Sequence, residues 1–308
     1  MNWKKLGIIF NATEYFNGRL THAIAPTPVL IDKDNLRIYI NCIDKNGISR
    51  PYFIEVNPND SFKTVNVSSN PLLDVGLPGT FDDNGIIVTS IVKVTESKWY
   101  LYYVGFELSL KIRYRLLSGL AISNDAGITF SKISTMPILE RSPNEMYFRG
   151  GPFCILSNDT FRLWYVAGSS WINLNEKLNP IYDIRYLESS DGIKWGNEGK
   201  CIIPITQEDE HGFGRPYFIE RENGKFSLFY SIRKKSVNSY RMGYAESDDG
   251  LSWIRKDNEI NLDVTKNSFD SDEIMYAAPI YINNKLHLLY NGNNFGADGI
   301  ALAILEDS

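Results

Sequence analysis

The sequence predicts an all-β chain, a five-bladed β-propeller of four-stranded antiparallel blades in which the N-terminal strand closes the last blade. Three observations carry this. An apolar, strand-like run recurs five times at spacings of about 60 residues, as repeat architectures require. A Ser-x-Asp or Ser-Asp-Gly turn ending in an aromatic recurs three times. The last repeat lacks a fourth strand, and a matching segment stands at the start of the chain.

The clearest unit runs from Arg215 to Lys256. It holds runs at Pro216–Ile219, Phe226–Tyr230 and Met242–Glu246, then an aromatic that opens a fourth. Its turns are Glu222-Asn223-Gly224-Lys225, a polar loop from Lys234 to Ser239, and Ser247-Asp248-Asp249-Gly250. Gly and Asn supply positive φ, and Asp bonds its own backbone. Four strands in about 45 residues make one blade.

The second strands read LRIYIN (Leu36–Asn41), WYLYYVG (Trp99–Gly105), FRLWYVAG (Phe161–Gly168), FSLFYS (Phe226–Ser231) and LHLLYNG (Leu286–Gly292). Such near-continuous apolar runs suit strands buried between stacked sheets. First strands begin after Pro26, near Gly85, and at Pro152, Pro216 and Pro279; proline at a strand's first residue loses no ladder bond. Third strands leave through AISNDAGITF (Ala121–Phe130), LESSDGIKW (Leu187–Trp195) and AESDDGLSW (Ala245–Trp253). Ser123-x-Asp125-x-Gly127-x-Thr129-Phe130 resembles the Asp-box of sialidase-type propellers, a turn device in which Ser and Asp cap backbone groups. These aspartates are therefore read as structural. The fifth unit's third strand, Gly299–Leu305, lies near the end of the sequence, while Asn2-Trp3-Lys4-Lys5 matches Ser252-Trp253-Ile254-Arg255. Closure by that strand removes exposed edges and makes residues 1–308 one domain. A β-sandwich is the alternative architecture.

Composition excludes several function classes. Net charge is −5, against the clustered basic face that nucleic-acid binding needs. No run approaches the ~20 apolar residues of a membrane span, and the start has no signal-like apolar run, so the expected location is cytoplasmic. Cys42, Cys154 and Cys201 are an odd number without paired spacing and read as reduced and structural. No histidines have metal-ligand spacing, so neither metal nor cofactor is expected.

In a propeller, first-strand starts and second-strand ends line a central funnel. Its acidic candidates are Asp82, Asp83, Asp272 and Glu273. Its foremost basic candidates are Arg149 and Arg215; His22, Glu107, Trp171 and Asn291, with Asn41, Ser231 and Arg233, complete it. Facing carboxylates are what glycosidic cleavage needs, one as proton donor and one as base or nucleophile. Only one of Asp82 and Asp83 can project inward, and Asp82-Asp83-Asn84-Gly85 reads equally well as a turn. Arg149 in Tyr-Phe-Arg-Gly-Gly-Pro and Arg215 in Gly-Phe-Gly-Arg-Pro-Tyr suit bidentate anion binding; inter-blade ion pairs are the alternative. Trp171 is placed to stack on a sugar, or is a plain loop aromatic.

These features resemble the five-bladed propeller glycoside hydrolases, which include arabinanases, xylosidases, invertases, levansucrases and mannoside phosphorylases. WKKLG, Gly79–Gly85, Tyr244-Ala245-Glu246-Ser247 and Leu289–Asn293 are similar to glycosidase-like proteins of bacterial surface-polysaccharide gene clusters. The resemblance implies polysaccharide biosynthesis and a small carbohydrate partner. It also implies a first-blade acid and a third-blade Glu. Here His22-Ala23-Ile24-Ala25-Pro26 carries no acid, and Arg149 stands where the Glu is expected. Only Asp82 or Asp83 matches a family acid. The expected function is thus a glycosidase-like enzyme acting on a sugar or sugar conjugate with an anionic group. Asp83 or Asp82 and Glu273 would move protons, His22 would assist, and Arg149 and Arg215 would anchor the anion. A non-catalytic carbohydrate-binding propeller, or one recruited to non-hydrolytic chemistry such as phosphorolysis, are the alternatives.

Overall fold

The computed structural model describes residues 1–174, 176–221 and 224–306. It is all-β, with 57% strand and 4% helix. The strands in chain order are β1 (Trp3–Phe10), β2 (Leu20–Asp32), β3 (Asn35–Asp44), β4 (Ser49–Asn57) and β5 (Lys63–Val67), then β6 (Ile86–Lys93), β7 (Trp99–Leu108), β8 (Tyr114–Ser123) and β9 (Ser131–Lys132). There follow β10 (Phe148–Ser157), β11 (Thr160–Leu174), β12 (Lys177–Ser189) and β13 (Lys200–Ile203), and β14 (Glu210–Glu220), β15 (Phe226–Lys234), β16 (Ser239–Ser247) and β17 (Ile254–Arg255). The last are β18 (Met275–Ile282), β19 (Lys285–Asn291) and β20 (Ile300–Leu305).

Antiparallel pairing sorts them into sets of four: β2–β5, β6–β9, β10–β13, β14–β17, and β18–β19–β20 completed by β1. β1 pairs with β20 from Trp3↔Leu305 to Phe10↔Ile300, as the matching segments anticipate. The first strand of each set touches that of the next, and β18 touches β2 in turn. Each recurrent second-strand run lies in a strand, with Leu36 to Cys42 buried without interruption. First strands begin several residues before the prolines in most sets, so β14 starts at Glu210 rather than Pro216. Of the turn at Glu222-Asn223-Gly224-Lys225, Glu222 and Asn223 lie outside the described residues; Gly224 donates to the Arg221 carbonyl at 2.9 Å. The cysteines are free, with Cys42 and Cys154 buried and Cys201 exposed.

Two devices recur, the first joining neighbouring sets and the second bracing sets internally. The first is the Asp-box. Asp125 accepts from Ile128 N, Thr129 N and the hydroxyls of Ser123 and Thr129. Although burial opposes it, these donors pull its pKa down to about 2. Asp191 and Asp249 hold their turns in the same way. The Gly127 carbonyl then accepts from Tyr39, and the Gly192 carbonyl from Tyr102, at 2.9 and 2.8 Å. Each tyrosine comes from the preceding set, so the turn latches two neighbours.

The second device is a buried acid pinned by a cation and a second-strand tyrosine. Asp82 receives Lys132 Nζ at 2.6 Å and the Tyr103 hydroxyl at 3.2 Å. Glu145 receives Arg149 Nε at 2.5 Å, Arg185 at 3.1 Å and Tyr165 at 2.7 Å. Tyr230 donates to Asp257, and Arg255 bridges Asp257 to buried Glu210. Asp270 receives Lys5 at 2.5 Å and Tyr290 at 3.4 Å. Tyr103, Tyr165, Tyr230 and Tyr290 occupy one position of the recurrent run; in the first set that position is Ile40, which is apolar and has no acid.

Removing one partner of a buried pair leaves an uncompensated charge at about 3–5 kcal/mol. Lys5→Met should therefore destabilise the protein by about 3 kcal/mol in urea unfolding, with Asp270→Asn in the same chain recovering much of the loss. Lys4→Ala, whose exposed pair with Glu306 spans 3.9 Å, should change stability by less than about 0.5 kcal/mol.

Candidate functional site

Every first strand carries a register shift at its funnel end. The shifts fall at Thr21/Ile24, Val88/Ser90, Gly150/Phe153, Gly214/Tyr217 and Met275/Ala278. Left-handed backbone accompanies four of the five, at His22 (φ 62°), Gly151 (φ 61°), Arg215 (φ 35°) and Tyr276 (φ 57°). Such bulges re-aim side chains that regular alternation would send elsewhere.

The funnel is a stepped cavity. Its wide upper part, about 830 Å³, is lined by Arg113, Lys177, Arg233, Arg241, Asp272 and Glu273 among others. A middle part of about 300 Å³ shares Arg113, Arg233, Tyr240 and Phe295 with it and adds His22, Tyr114, Tyr182 and Tyr276. A lower part of about 80 Å³ shares Tyr182, Tyr240 and Tyr276 with the middle and reaches Arg215.

Among the predicted residues, the funnel gathers His22, Asp272, Glu273 and Arg215. Glu273 accepts from the Ser239 hydroxyl at 3.0 Å and Phe295 N at 3.2 Å. No cation pairs with it among the described residues. Asp272 is exposed, and its carbonyl holds Ser239 and Arg241. The His22 Nδ1 lies 2.9 Å from the Thr21 hydroxyl. Burial lowers the imidazole pKa below 6.5, with the Asn294 backbone and Asp298 opposing in part.

The other predicted residues are placed elsewhere, each for a stated reason. Asp82 is buried on Lys132, and Asp83 caps its own turn by accepting from Gly79 N at 2.8 Å and from Asn84. Neither carboxylate lines the funnel. Arg149 is corrected from anion anchor to structural cation: it pairs with Glu145 and donates to the carbonyls of Glu140 and Gly196. Glu107 pairs across the β7–β8 ladder with Arg115 at 2.8 Å. Trp171 packs against Phe148 and Tyr114, at 5.4 and 6.1 Å between ring centroids, and so backs a funnel tyrosine. Asn291 is buried and bonds Ala23 O, Gly299 O and Ala25 N, tying the fifth set to the first.

Sequence reasoning placed Arg233 in the funnel without giving it a role, and missed Arg113 as a ligand-facing cation and Tyr114, Tyr182, Tyr240 and Tyr276 as the walls. Arg233 is partly buried, sits 5.3 Å over the Tyr240 ring, and has no carboxylate partner among the described residues. Arg113 stands at the rim, 5.8 Å from the Tyr114 ring, likewise without one. A signal was present. Tyr182 and Tyr240 stand at the same offset ahead of the Asp-box serines Ser189 and Ser247, which marks third-strand starts as funnel lining. Their hydroxyls meet at 3.2 Å.

No known protein-family model matches the chain. The uncharacterized protein Rv1502 of Mycobacterium tuberculosis is 30% identical over 307 residues, covering 100% of both chains. The chain belongs to its family. Among solved structures, a glycoside hydrolase superposes with a TM-score of 0.75 at 16% identity, over 99% of this chain and 92% of the other. A thermostable family-43 glycoside hydrolase gives 0.66 at 17% identity, over 94% and 91%. At these identities the likeness is one of fold, that of the glycoside hydrolase propellers. No helix among the described residues is long and apolar enough to cross a membrane.

Burial holds His22, His211 and His287 below the ordinary histidine pKa of 6.5. The unfolded chain therefore takes up protons first as pH falls. Stability present above about pH 6.5 should decline as pH drops toward the folded-state values. Histidine proton resonances should titrate with midpoints below 6.5, and the unfolding temperature should fall between about pH 7 and pH 5.

Proposed function

We propose that the five four-stranded sets are the blades of one closed propeller spanning residues 1–308, and that its funnel acts on a sugar or sugar conjugate bearing an anionic group. The observation carrying this reading is the presence, in one cavity, of a partly buried arginine without a carboxylate partner and a glutamate without a cation partner. Among the described residues the fully buried acids, Asp82, Glu145, Glu210 and Asp270, are mated. Unmated opposite charges held apart across a cavity favour a ligand that engages both. Arg233, with Arg113 at the rim, binds the anion, and a guanidinium suits carboxylate or phosphate oxygens. The tyrosine walls offer ring faces and hydroxyls to a sugar. Glu273 is the proton carrier, with His22, neutral at pH 7, as its partner.

Calorimetry with glucose, glucuronic acid and glucose 6-phosphate tests this. The anionic sugars should bind and glucose should bind at least about tenfold more weakly, with Arg233→Met reducing anion affinity by roughly 10–100-fold. Equal affinity for all three sugars would overturn the reading.

A second reading has a specific observation behind it. Asp272 and Glu273 are the only carboxylates lining the three cavities among the described residues, and they are neighbours in sequence. Hydrolysis ordinarily needs two carboxylates flanking the bond at about 5–5.5 or about 6.5–9.5 Å. With one flank lacking an acid, a binding protein or an enzyme using an anionic nucleophile such as phosphate fits the remaining groups. Incubation of the bound sugar conjugate with and without inorganic phosphate separates these. Phosphate-dependent product lost in Glu273→Gln supports phosphorolysis, phosphate-independent product lost in that variant supports hydrolysis, and binding without product supports the binding protein.

A further inference from the structure

The foot of the funnel holds a cation that faces the Tyr217 ring at 5.2 Å but has no anionic partner among the described residues. Arg215 is 3% exposed, and no carboxylate pairs with it among the described residues. Its hydrogen-bond acceptors are all neutral: Pro26 O at 2.7 Å, the Thr27 hydroxyl at 2.8 Å, Tyr276 O at 3.2 Å and Thr89 O at 3.5 Å. Its Nε is buried without a partner. Neutral acceptors recover only part of the desolvation penalty of a buried ion, which amounts to several kcal/mol. Burial lowers the Arg215 pKa to about 10, which still leaves the group charged at neutral pH.

Beside this cation lies the lower cavity of about 80 Å³. At about 30 Å³ per water, it has room for about two to three water-sized particles, and it is too small for a sugar ring. Thr89, Tyr182 and Tyr240 give it hydroxyls, and Val104, Val166 and Leu116 give it apolar wall. The Tyr182–Tyr240 contact uses one hydroxyl proton and leaves the other hydroxyl able to donate. One buried positive charge, a hydroxyl donor and a small, partly apolar space together match one small negative charge.

We propose that this cavity binds a single inorganic monoanion of halide size, which neutralises Arg215. The site is independent of the anion subsite at Arg233 and would stand if that reading failed. Because Tyr182, Tyr240 and Tyr276 line both the lower and middle cavities, the anionic group of a funnel ligand is the other source of the same chemistry.

The test uses the full chain without substitution, since Arg215 variants risk misfolding. Thermal unfolding is followed in sodium chloride or bromide against sodium methanesulfonate at equal ionic strength. A saturable rise of about 3 °C with either halide is expected. Crystals grown in bromide should show an anomalous peak in the lower cavity against the Arg215 guanidinium. Equal unfolding temperatures in halide and methanesulfonate, or a bromide peak only at Arg113 and Arg233, would overturn the proposal. So would a lower-cavity peak displaced by glucose 6-phosphate, which assigns that space to the ligand's own anion.

Discussion

One side chain meets most of the fold. Arg215 issues from the fourth set and donates to backbone carbonyls of the first, second and fifth. The third approaches through Gly151, where an added Cβ would meet the Arg215 backbone at 3.7 Å. Gly151 and Arg215 both sit in left-handed backbone, which lets their strands turn toward the axis. The sheets thus converge on a planar cation whose fixed fork of donors sets where their innermost carbonyls stand. Directional bonds of that kind limit how far the strands can splay, and so fix the width of the funnel above.

Around that centre, charges are sorted by whether they are mated. Asp82, Glu145, Glu210 and Asp270 are buried acids, each held by a lysine or arginine and, directly or through Asp257, by a tyrosine. They stiffen the sets, and none of the four lines the funnel cavities. Arg233 and Glu273, which line the upper cavity, join Arg215 as charges without an ionic partner among the described residues. In a molecule that pairs its buried ions so regularly, an unpaired one marks a place prepared for something else.

Much of the architecture was legible because strand burial repeats. The second-strand runs and the Asp-box turns recur with the same residues in the same places, and the leftover strand at the start of the chain found its gap. The site was less legible for two reasons. Asp82 finds its partner Lys132 fifty positions away in sequence, so its structural role had no local signature. Face parity also fails where a bulge intervenes: alternation along a strand holds only while register holds, and every first strand breaks register near the axis. Arg149 was misread for a different reason. Its partner Glu145 is only four residues back, but a guanidinium beside two glycines suits an anion as well as an ion pair, and the anion was preferred.

The pairing of β1 with β20 has a consequence for how the molecule is made. Trp3 lies opposite Leu305, so β1 leaves the ribosome long before its partner has been synthesised. Until β20 emerges, the ladder groups of β1 and those of the unfinished fifth set are open to other chains. Contacts between strands so far apart in sequence also slow the closing step, since loop closure precedes any reward from the pairing. Joining the two strands is therefore a late event in folding. A permuted chain that places β1 directly after β20 would make that closure a local hairpin event.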